Sequence, residues 1–160
     1  MALEYITLAG ASSPSDYAQY NDYYSNLKVV FHDTLEMHID EVDIAILTKI
    51  DADLSCTTDI DPEVRQRWYP IGLTKNYDPV YDPAHTWISS MGRSKYLNPV
   101  YTALEDSGQH DLGVQWFEEN KDFYHPVAAT SVEKILGIDE SSLKAKHQVP
   151  TDSFIYDTLQ

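Results

Sequence analysis

Residues 27–38 read LKVVFHDTLEMH, and this stretch sets the fold class. Leu27, Val30, Phe31, Leu35 and His38 fall at i, i+3, i+4, i+8 and i+11, the spacing that puts side chains on one face of an α-helix. After an acidic break at Asp40 and Glu41 the period resumes with Val42, Ala45, Ile46 and Ile50. Two consecutive amphipathic helices follow. Further along, Asp61-Pro62, Asp82-Pro83, Asn98-Pro99 and His125-Pro126 each set a capping side chain before a proline, while Gly92 and Gly137 stand where C-terminal caps belong. This punctuation predicts short helices near residues 62 to 73, 83 to 91, 98 to 106 and 126 to 136. Asp111 can cap another, with Leu112, Trp116 and Phe123 near one face. No stretch alternates as a strand, and no Asn-Gly hairpin signal occurs. About seven or more short helices joined by short loops suit an all-α, two-layered, irregular helical solenoid of the armadillo or HEAT kind better than a four-helix bundle. No fixed-period sequence repeat accompanies it.

The flanks read differently. Residues 1–24 contain Pro14 among serines, then Tyr17, Tyr20, Tyr23 and Tyr24, and are expected to be a linker or N-terminal extension. Those tyrosines argue against disorder, since aromatic rings usually pack on something. Residues 138–160 mix Lys144, Lys146 and Asp152 without an apolar period and read as a tail.

The chain has 160 residues, 42% of them hydrophobic, which is enough for one domain with a real core. Its net charge of -15 argues against nucleic acid or an anionic membrane as partner. Cys56 is the one cysteine, so no intrachain disulfide can form, as suits a reducing compartment. No apolar run approaches the roughly 18 residues of a membrane span, and the N-terminus has no basic leader. A soluble, cytosolic protein is expected.

Against this acidic background, residues 64–104 hold Arg65, Arg67, Lys75, Arg93 and Lys95 against only Asp78 and Asp82, a local charge of +3. Two explanations are open. The island docks something anionic, or its cations answer neighbouring acids in structural ion pairs.

Catalytic patterns are few. His32 and Glu36 share a helix face at i and i+4, but zinc hydrolysis requires a second histidine and a third ligand, so an exposed helical ion pair is the expectation. Asp51, Asp53, Ser55, Thr57 and Asp59 imitate the odd positions of a calcium loop. Cys56 replaces its turn glycine and Glu63 comes one residue late, so an acidic loop capping the next helix fits better. Glycine-rich phosphate loops, a nucleophile elbow and Cys-x-x-Cys are all missing from the sequence.

The middle of the chain is more specific. Glu63-Val64-Arg65-Gln66-Arg67-Trp68 opens a helix, Gly92-Arg93-Ser94-Lys95-Tyr96 follows with Pro99 close behind, and Tyr124-His125-Pro126-Val127 leads into a last helix. This succession resembles the C-terminal helical domain of the leukotriene A(4) hydrolase and aminopeptidase family of zinc metallopeptidases. That family shows a Glu-x-Arg-x-Arg-Trp helix, a Gly-Arg-Met-Lys-Phe turn followed by proline, and a His-Pro before the closing helix. The resemblance covers roughly residues 25 to 137.

It implies an armadillo-like helical domain over residues 25–137 that packs on a thermolysin-like catalytic domain of the same enzyme. It also implies that Arg93 and Lys95 bind the carboxylate of a peptide or lipid substrate. A guanidinium offers a fork and a nearby ammonium a point charge, so the pair can orient a substrate end. Arg65 and Arg67 read as ion-pairing residues, Trp68 as core and His125 as a helix cap. Ser94 replaces the family's methionine and Tyr96 its phenylalanine, and Pro70 is expected to bend or end its helix early. The family's zinc ligands and catalytic tyrosine have no counterpart here. The resemblance therefore implies no catalytic residue, metal site or cofactor in this chain, with zinc held by the parent enzyme. The rival expectation is a free-standing helical scaffold for protein partners.

Overall fold

The computed structural model describes residues 1–138 and is all helical. Eight α-helices are present among the described residues: α1 (Ala2–Thr7), α2 (Ser25–Met37), α3 (Ile44–Leu54), α4 (Pro62–Thr74), α5 (Tyr81–Ile88), α6 (Ser94–Asp106), α7 (His110–Asn120) and α8 (Pro126–Ile135). Helices α2, α4, α6 and α8 lie side by side in sequence order, and α3, α5 and α7 carry the chain back between them. Matching turns of this row touch. Ser25 at the start of α2 donates to the Asp61 carboxylate at the start of α4, and Asn98 Nδ2 donates to Ser131 Oγ at 2.9 Å between α6 and α8. The four helices are thus parallel, with their N-termini along one edge.

The caps follow the predicted chemistry in part. Asp43 accepts from Ile46 N at 2.9 Å, Asp61 from Glu63 N at 2.9 Å, and His125 Nδ1 from Val127 N at 3.3 Å. Gly137, at φ +61°, closes α8 with its own N–H on Lys134 and the next on Glu133. Gly92 caps nothing, because α5 spans Tyr81–Ile88 rather than residues 83 to 91. The predicted start at Pro99 is also four residues or more late. Arg93 is the extended residue before α6, and Pro99 lies inside it, forgoing only the bond to the Lys95 carbonyl. Pro70 likewise sits within α4, which continues to Thr74 instead of ending early. Phe123 falls outside α7 and is 59% exposed, and Phe117 takes the inward position.

The largest departure concerns residues 1–24. Read as a linker or extension, they instead pack into the core, with Ala2, Tyr5 and Tyr20 buried. The tyrosines can enter because each hydroxyl finds a partner: Tyr5 donates to Asp53 at 2.9 Å, and Tyr20 meets His32 Nε2 at 2.8 Å. Gly10 closes the turn after α1 at φ +74°, with a hypothetical Cβ only 2.7 Å from the Ala45 carbonyl, so glycine is required twice over. His32 is correspondingly buried, not part of an exposed pair with Glu36. The expected tail, beyond residue 138, lies outside the described residues.

Trp68, Tyr69, Tyr101 and Phe117 fill the centre of the core with Leu35, Leu47, Ile50 and Leu104. Packing there is tight enough to test at α4. A Cβ on Gly72 would sit 2.7 and 2.8 Å from the two Cγ atoms of buried Val80, whereas one on Gly113 comes close only to the terminal Cδ2 of Leu136, at 2.9 Å, and meets Leu104 at an ordinary 3.7 Å. Gly72→Ala is expected to cost about 1–3 kcal/mol, since a β-branched neighbour cannot swing away, and Gly113→Ala less than about 1 kcal/mol. Urea denaturation of both variants checks the order; equal costs would refute this packing argument.

Candidate functional site

The structure brings the Gly92–Lys95 turn against the start of α8. His125 N donates to the Gly92 carbonyl at 3.2 Å, locking the two segments together. Gly92, Arg93, Ser94, Lys95, His125, Val127 and Ala128 line an open concavity of about 430 Å³. Two helix N-termini meet there, those of α6 and α8, and both contribute partial positive charge. Arg93 offers no side-chain cap to α6, and the Ser94 and Lys95 N–H groups make no hydrogen bond among the described residues. Because His125 Nδ1 accepts from Val127, the neutral ring carries its proton on Nε2, a further donor. The lining is therefore rich in donors and positive charge. Its chemistry suits an anion.

The five cations of the basic island have different fates. Arg67 donates to Asp33 on α2 and lies 3.5 Å from Glu63, tying α4 to its neighbour as expected. Arg65 Nε donates to the Asp59 carbonyl. Lys75 closes the opposite end of α4 through its backbone N–H, away from the edge of helix N-termini. Lys95 Nζ, though exposed, donates to Glu63 Oε1 at 2.6 Å. Arg93 is exposed and has no carboxylate partner among the described residues. The ion-pair explanation of the island thus holds for Arg67 and Lys95 but not for Arg93.

Glu63 is the site residue the sequence did not reveal. It lies 32 positions from Lys95, and no local spacing announces a contact made only when two parallel helices align their first turns. The hydrogen bond from Lys95 is the largest influence on its carboxyl, and with the Lys95 and Arg67 charges it holds that group below the usual range despite partial burial.

The loop that imitates a calcium site has its acids engaged by donors of the protein itself, Tyr5 on Asp53 and Lys28 on Asp59 among them. Asp51 accepts from Thr57 N at 2.8 Å and from Thr57 Oγ1 at 2.6 Å, and Asp59 accepts from Asp61 N at 2.8 Å. Cys56 is fully buried, and desolvation pushes its thiol well above the ordinary range, leaving an inert side chain. Among the described residues no group of three or more His, Cys, Asp or Glu is placed to hold a metal ion. These residues do not fit a zinc site. No helix among them is long and apolar enough to cross a membrane.

Comparison with known proteins shows which family the chain resembles. The family model described as "Leukotriene A4 hydrolase, C-terminal" matches residues 23–136. Leucine aminopeptidase 2 of Yarrowia lipolytica is 31% identical over 134 residues, covering 80% of this chain and 20% of the relative. Leucine aminopeptidase 2 of Phaeosphaeria nodorum is 30% identical over 133 residues, covering 81% of this chain and 21% of the relative. A leukotriene A-4 hydrolase homolog of Botryotinia fuckeliana is 36% identical over 74 residues, 46% of this chain and 11% of its own length. The chain thus spans about a fifth of the first two relatives. No solved structure matches it.

Proposed function

The chain belongs to the leukotriene A(4) hydrolase C-terminal domain family, and from that premise we propose that it serves as the non-catalytic C-terminal domain of a larger zinc aminopeptidase. In this role it packs on the catalytic domain, which holds the zinc, and Arg93 with Lys95 receives the carboxylate of a peptide or lipid substrate. The observation that carries the reading is the convergence of Arg93, Lys95 and two helix N-termini on one open concavity. A carboxylate there meets a guanidinium fork, an ammonium and backbone N–H groups at once. The domain's contribution is orientation, leaving bond cleavage to its partner.

The same edge supports the packing part of the proposal. Tyr24, Ile60, Phe123 and Val127 stand at or just before the starts of α2, α4 and α8 and are 59–85% exposed. Large apolar side chains gathered along one edge mark a surface made for burial.

The test uses the full-length enzyme containing this domain. Arg93→Ala is expected to lower kcat/KM for a tripeptide with a free C-terminus about ten- to a hundredfold, the worth of one charged hydrogen-bonded contact. The C-terminally amidated peptide should lose little. Lys95→Ala should cost less than Arg93→Ala, because Lys95 is already engaged by Glu63. Equal rates for wild type and Arg93→Ala on the free peptide would overturn the reading.

A further inference from the structure

Lys95 and Arg93 line the same concavity but do not present equal charges to it. The Lys95 ammonium is bonded to Glu63, the second residue of α4, across the aligned helix starts. That carboxylate also lies 3.5 Å from Arg67 Nη1, and Arg67 Nε donates to Asp33. Asp33, Arg67, Glu63 and Lys95 form a chain of alternating sign that sums to zero. Arg93 is left as the uncompensated side-chain cation among the described residues that line the concavity.

Glu63 sits in the first turn of α4 and lies within reach of Arg67 four residues on, and neither role requires Lys95. Arg67 already has Asp33 as an ion-pair partner, and α4 already has Asp61 as its cap. What Glu63 does distinctively is hold Lys95. An ammonium has three N–H donors, so Lys95 can begin to donate to an incoming carboxylate before Glu63 releases it. The two carboxylates then share one cation at close range and repel each other.

Resting on the carboxylate-binding reading above, we propose that Glu63 is an internal competitor that occupies Lys95 in the free domain as a ligand carboxylate does in the bound one, and so limits affinity for ligands with a terminal carboxylate. Glu63 is a positioning and specificity residue in this scheme; Arg93 makes the primary contact. The arrangement makes capture depend on a ligand able to satisfy Arg93 and the free N–H groups of α6 before Lys95 is won from Glu63. A neutral ligand does not engage Lys95, so Glu63 lowers affinity for the charged ligand alone and sets how far binding favours an acid over its neutral amide.

The experiment titrates the full chain with N-acetyl-trialanine and with its C-terminal amide, at low ionic strength, following the amide NMR shifts of Gly92, Ser94 and Val127. Glu63→Gln keeps the side-chain shape and removes the charge. It is expected to tighten binding of the free acid about three- to tenfold and to leave the amide unchanged. In the Lys95→Met background the same substitution should give no gain. Unchanged or weaker binding in Glu63→Gln, with Arg93→Ala still abolishing it, overturns the role of Glu63 and leaves the carboxylate reading standing. A gain that persists without Lys95 would show a general charge effect and also overturn it. Undiminished binding in Arg93→Ala instead removes the carboxylate reading itself.

Discussion

Acidification from pH 6.5 to pH 4 is expected to remove about 3 kcal/mol of folding stability through the single imidazole of His32. His32 is fully buried between Phe31 and Trp68, with its Nε2 on the Tyr20 hydroxyl and its Nδ1 without a hydrogen-bond partner among the described residues. Burial is the largest influence and drives its pKa down from 6.5 to about 3; Asp59 opposes this, while Arg67 and Lys28 add to it. The sign follows from which state binds the proton. In the unfolded chain His32 charges as pH falls below 6.5, whereas the folded chain resists until about 3, so the unfolded state gains protons first. Stability is complete above pH 6.5 and falls by about 1.4 kcal/mol per pH unit through that window. Asp53, Asp61 and Glu63, whose carboxyls are all held below their ordinary values in the fold, continue the loss at lower pH. Urea unfolding across pH 4–7 measures the slope. His32→Gln should flatten it by close to one proton, and a wild-type profile that is flat between pH 6.5 and 4.5 would contradict the buried neutral imidazole.

This same residue shows what a sequence can and cannot disclose. Leu27, Phe31 and Leu35 announce a helix because the 3.6-residue period is a local property, and α2 to α8 follow from such local chemistry to within a few residues or a cap, while the six-residue α1 is too short to show a period. His32 stands one position from Phe31, and its burial depends on Tyr20 and Trp68 arriving from elsewhere in the chain. A histidine beside a periodic face looks solvent-exposed until a tertiary partner covers it. The misplaced start of α6 has a different origin. Proline is most often found in a helix's first turn, so Pro99 suggested a boundary; the extended backbone of Arg93, which sets the true one, carries no sequence signature. Arg93 and Lys95 were legible through motif order, and their approach to His125 was not, since Gly92 and His125 meet only after α6 and α7 have folded between them. Glu63 was legible only as part of a motif. Its contact with Lys95 is a consequence of parallel helices in register, a property of the assembled row.

Trp68→Ala is expected to be the most damaging single truncation in the chain, costing about 4 kcal/mol. The indole is completely buried on the inward face of α4, edge-on to His32 and Tyr77 with ring centroids 5.9 and 6.2 Å away. Its Nε1 donates to Thr57 Oγ1 at 2.9 Å, and that hydroxyl in turn donates to Asp51 at 2.6 Å. Alanine therefore opens a cavity in the aromatic centre and cuts one of the links between α4 and the loop after α3, where Tyr69 and Arg65 also donate. Trp68→Phe separates the two losses. It keeps most of the volume and removes only the N–H, and because Thr57 retains Asp51 it should cost roughly 1–2 kcal/mol. The pair of variants also tests how the site is supported. Trp68 lies five residues after Glu63 on α4, so the helix that Trp68 anchors is the one that carries Glu63 to Lys95. Trp68→Phe should leave carboxylate binding at Arg93 and Lys95 unaltered at room temperature, while Trp68→Ala, even where still folded, should loosen the Glu63–Lys95 contact. Guanidinium denaturation gives the stabilities, and a Trp68→Ala cost below about 1 kcal/mol would mean the core can collapse around the loss and that α4 is anchored by other residues.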